Sequence, residues 1–87
     1  MALLWLHRRY AEAFDEAGLT KDFEKLMDVL ENLHEACDLI DGIVKVLEAY
    51  TVLEDTCRRA RKYIPPTILN NLRADITDII EATPLTP

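Results

Sequence analysis

The chain has 87 residues, 49% of them hydrophobic and 30% charged, with a formal net charge of −6. That length suits one domain with a modest core, and that apolar content excludes a disordered segment. The acidic balance argues against a nucleic-acid-binding body, and the longest uninterrupted apolar stretch, Met1 to Leu6, is too short to span a bilayer.

The first predicted helix covers Ala2 to Ala17, with Leu3, Leu6, Tyr10, Phe14 and Ala17 at helical spacing. Gly18 then offers the left-handed residue that commonly ends a helix, and Thr20 is placed to cap the next one. Leu3, Leu4, Trp5 and Leu6 are consecutive, so they point around the whole circumference of the first turns. At least Leu4 or Trp5 must face away from the core, and Trp is a frequent anchor at interfaces.

From Thr20 to Tyr63 the helical pattern runs without an obvious stop. Phe23, Leu26, Leu30, Leu33, Cys37, Ile40, Val44 and Leu47 recur at steps of three and four. A second stripe, Ala36, Leu39, Ile43, Val46, Tyr50, Leu53, Cys57, Ala60 and Ile64, keeps the same rhythm about 100° around the helix. The stripes overlap between Ala36 and Leu47, where the apolar arc is too wide for one neighbour to cover. Gly42 is the one weak point, but Leu39, Ile40, Ile43 and Val44 surround it without the polar cluster of a loop. The expected fold is therefore all-α, a short-long-short bundle around a central helix of about 20–63, completed by self-association. The alternative is a monomeric up-down four-helix bundle with a turn at Gly42.

Pro65 and Pro66 stop the long run and suit the first turn of a last helix carrying Ile68, Leu69, Leu72, Ile76, Ile79 and Ile80. One domain over 1–83 with a frayed tail at 84–87 follows. Cys37 and Cys57 both lie on inward stripes, about 30 Å apart on a continuous helix, which predicts two reduced core thiols in a cytoplasmic protein.

Between Ala11 and Cys57 there are thirteen acidic residues and three basic ones, Lys21, Lys25 and Lys45. Those carboxylates either solvate the outer face or form a docking surface for a basic partner. The basic run Arg58, Arg59, Arg61 and Lys62 falls at the end of the long helix, where cations complement the helix dipole. Glu31 and His34 have the spacing of a bundle metal motif, yet the second such pair is missing, so no metal and no cofactor is predicted. No serine is present, the two glycines form no phosphate loop, and thiols on apolar stripes are poor nucleophiles.

The expected function is a non-enzymatic helical interaction or oligomerisation module that binds a second copy of itself, with no nucleic-acid or membrane partner. Its interface would be Leu4, Trp5, Leu39, Ile40, Ile43, Val44, Val46, Leu47 and Tyr50. The alternative is a small acidic inhibitor, immunity or antitoxin-like protein that covers a basic target surface.

Overall fold

The computed structural model describes residues 3–83. Four helices account for most of them: α1 Leu4–Glu16, α2 Thr20–Leu33, α3 Leu39–Ala60 and α4 Pro66–Ala82, with no strand among the described residues. The tail expected to fray, 84–87, lies outside the described residues.

The end of α1 follows from Gly18, whose φ of 74° is the left-handed conformation that glycine adopts without penalty. The Gly18 amide donates to the Asp15 carbonyl at 3.0 Å and the Leu19 amide to the Phe14 carbonyl at 2.8 Å, the paired bonds of a Schellman close. This close makes Leu19 the N-cap of α2, so Thr20 is the first helical residue and not the cap expected for it. Its hydroxyl donates instead to the Asp15 carboxylate at 3.2 Å.

The expected helix over 20–63 is two helices, and the turn between them is not at Gly42. The chain leaves helical geometry for the five residues 34–38, upstream of that glycine. After Leu33 the His34 and Glu35 amides reach only three residues back, to the Glu31 and Asn32 carbonyls, which tightens the last turn. Asp38 then extends, at φ −154° and ψ −177°, and its carboxylate accepts the Asp41 amide at 2.8 Å. That is an N-cap, and it starts α3 afresh. Gly42 lies inside the first turn of α3, its amide donating to the Asp38 carbonyl at 2.9 Å. The first apolar stripe is thus split between two helices, Phe23, Leu26, Leu30 and Leu33 on α2 and Ile40, Val44 and Leu47 on α3, where the second stripe runs beside it from Leu39.

The core takes one face from each helix. Leu6, Tyr10 and Phe14 come from α1; Phe23, Leu26, Leu30 and Leu33 from α2; Leu53, Cys57 and Ala60 from α3; and Leu69, Leu72, Ile76 and Ile80 from α4. Phe14 and Phe23 stack with ring centroids 5.0 Å apart where α1 meets α2. Polar ties join the remaining faces. The Tyr10 hydroxyl and Arg9 both donate to Asp75, linking α1 to α4. Arg59 bridges from α3 to Asp22 on α2 at 2.6 Å, and Arg73 on α4 pairs with Glu54 on α3. Pro66 at the first position of α4 fits the expectation that a proline would open the last helix.

Candidate functional site

Helix α3 has 22 residues and α2 has 14, so about 12 Å of α3 has no counterpart in its antiparallel neighbour. The ion pair between Asp22 and Arg59 fixes which part that is. Counting along both helices from that pair at about 1.5 Å per residue puts Leu33, the last residue of α2, level with Glu48. The turns of α3 before Glu48 therefore project past the end of α2 and are flanked there by the connector. The Lys45 ammonium donates to the Glu35 carbonyl at 3.4 Å and pairs with Asp41 at 3.1 Å, which holds connector and helix together.

This projection carries five of the eight large apolar side chains left exposed among the described residues. Leu39, Ile40, Ile43, Val44 and Leu47 are 44 to 76% exposed and succeed one another along one side of α3. They are five of the nine residues expected at an interface. Val46 and Tyr50, also expected there, are half-buried and pack against the core instead. Leu4 and Trp5 are about half exposed but stand on α1, a separate element from the α3 stripe.

Two open clefts run between α1 and α2. One, of about 230 Å³, is lined by Leu3, Leu4, His7, Met27 and Glu31. The other, of about 340 Å³, shares His7 and continues past Ala11 and Phe23 to Glu12, Asp15 and Glu24. The His7 ring leans against Phe23 with centroids 5.6 Å apart, forming the floor between them. Periodicity alone did not reveal this groove, because its walls come from two helices whose facing residues depend on the turn at Gly18.

The expected placement of the cysteines is half corrected. Cys57 is buried, and burial pushes its thiol pKa up. Cys37 is exposed in the connector, because the helix that would have turned it inward ends at Leu33. Both are free thiols.

Two of the four cations of the basic run, Arg58 and Arg59, are engaged in internal pairing. Arg58 and Arg59 both bind Asp55, and the Arg58 hydrogen bond leads in holding that carboxyl below its usual range. Glu31 and His34 gain no companions: among the described residues no group of three His, Cys, Asp or Glu side chains is arranged to hold a metal ion. No helix among them is long and apolar enough to cross a membrane. Comparison of the chain with protein-family models, curated proteins and solved structures finds no match.

Proposed function

We propose that this chain is a non-enzymatic helical interaction module that pairs with a second copy of itself through the projecting face of α3. The observation that carries the reading is the run Leu39, Ile40, Ile43, Val44 and Leu47, exposed side by side on a helix that outreaches its own bundle. A specific interface needs roughly 1,000 Å² in total, hence about 500 Å² from each copy and about 100 Å² from each of five side chains. Large aliphatic residues at 44 to 76% exposure supply that much.

A second copy suits this face because the face is self-complementary. A twofold axis across α3 sets the same apolar ridge against itself, with every contact repeated. No charge interrupts the ridge, since Lys45 is drawn aside to Asp41 and the Glu35 carbonyl. The net charge of −6 opposes association only at longer range, where salt screens it.

The test is the double substitution Ile40→Lys with Leu47→Lys, followed by light scattering and circular dichroism. Both side chains already meet solvent, so helicity should be retained while the dimer dissociates to a 10.0 kDa chain. A doubly substituted protein that keeps the mass of the unsubstituted one would contradict the proposal.

A further inference from the structure

The groove between α1 and α2 lies on elements that the α3 face does not use, so what it binds is a separate question from self-association. Its upper cleft is walled by Leu3, Leu4 and Met27 and has about 230 Å³ of space. That cleft alone is below the roughly 300 Å³ at which sites for drug-sized molecules begin, and the adjoining one of about 340 Å³ is edged by Glu12, Asp15 and Glu24, a rim that suits cations more than an apolar small molecule. The upper cleft is enough for one large apolar side chain.

Charge identifies the owner of that side chain. Glu12, Glu24 and Glu31 edge the two clefts, and none of them forms an ion pair among the described residues. Carboxylates that reach across to neighbouring helices, Asp22, Glu54 and Asp75, are each paired with an arginine. Lys25 of α2 lines a different cleft, against Tyr50 and Glu54 of α3, and does not neutralise this rim. Glu24 and Glu31, seven residues apart, stand two turns from each other along one wall, and Glu12 stands on the other.

The backbone of the occupant follows from what the walls lack. Both walls are helices whose amides and carbonyls are used internally, so they offer no main-chain partners to an extended peptide. A helix satisfies its own backbone and presents only side chains. From Leu4 to Asp15 the groove is about 16 Å long, or three helical turns.

We infer that the α1–α2 groove docks a basic amphipathic helix of another protein, with one apolar side chain seated among Leu3, Leu4 and Met27 and its cations on Glu12, Glu24 and Glu31. The inference does not depend on the dimer.

The probe is a labelled synthetic helix of 18 residues with leucines on one face and lysines on the other, titrated with the full chain by fluorescence anisotropy. Charge reversal by Glu24→Lys with Glu31→Lys should weaken binding at least tenfold. Ile40→Lys with Leu47→Lys, on the α3 face, should change it less than twofold, and both variants should keep wild-type helicity because all four positions are exposed. No binding by the unsubstituted chain, less than tenfold weakening on charge reversal, or comparable weakening by the α3 variant would each overturn the inference.

Discussion

The Asp38 carboxylate accepts the Asp41 backbone N–H at 2.8 Å, and the Asp41 carboxylate in turn accepts the Cys37 N–H at 2.9 Å. The first bond is an N-cap and the second ties the residue before the cap to the new helix, and together they create the boundary that divides one apolar run into a helical hairpin. Removing the cap by Asp38→Ala should cost about 1 kcal/mol in urea-induced unfolding. A loss below about 0.3 kcal/mol would show that packing of α2 on α3 sets the boundary without help from the cap.

Asp41 also links the boundary to pH. The Cys37 amide, followed by Lys45, holds its carboxyl pKa below the usual value of 3.8. A depressed acid stabilises the fold above its unfolded pKa, and that stability is lost as pH falls through the lower folded value. Asp41→Asn should therefore flatten the fall in stability below about pH 4 relative to the unsubstituted chain. An unchanged slope would contradict this role.

Tyr10 supplies the opposite sign at the alkaline end. Burial, reinforced by the hydrogen bond to Asp75, pushes its phenol from 10.0 to about 12. A group whose folded pKa is raised contributes stability that is complete below pH 10 and is lost as pH rises through about 12. Tyr10→Phe should destabilise the fold by about 2 kcal/mol near neutral pH, the scale of a hydrogen bond to a charged acceptor. In an absorbance titration one of the three tyrosines should ionise late, and Tyr10→Phe should remove that late step.

Thr56 is 1% exposed, and its hydroxyl has no hydrogen-bond partner among the described residues. An unsatisfied buried hydroxyl costs about 1 kcal/mol or more, so the near-isosteric Thr56→Val should leave stability unchanged or raise it by about 1 kcal/mol. Destabilisation by more than about 1 kcal/mol would mean that the hydroxyl makes a bond worth that much.

The two thiols should separate cleanly. Cys37 is exposed and Cys57 buried, so a thiol reagent should modify one cysteine in the native protein and the second only on unfolding. Rapid modification of both would place Cys57 in a region that opens readily.

Much of this architecture was legible in the chain. Gly18 and Pro66 end and begin helices where they were expected to, and the stripes of α1, α2 and α4 became core faces. The break before α3 was absent from the expected continuous helix, and the alternative put it at Gly42, a residue that a helix tolerates at about 1 kcal/mol. The stronger signal was Asp38-Leu39-Ile40-Asp41, an N-cap residue ahead of an apolar run. Of the residues expected at an interface, Leu39, Ile40, Ile43, Val44 and Leu47 are exposed, and that exposure was legible because they exceed what one helix can bury. Val46 and Tyr50 were not separable from them, since that depends on how α3 is rotated against its neighbours. The α1–α2 groove depends on tertiary packing, and periodicity carries no trace of it.

Self-association through α3 is most directly tested by the mass of the purified chain across a range of concentrations at low and high salt. The account predicts a dimer of about 20 kDa from the 10.0 kDa chain, held as firmly or more firmly when salt screens the net charge of −6. A 10.0 kDa species at every concentration, or a dimer that salt dissociates, would contradict it.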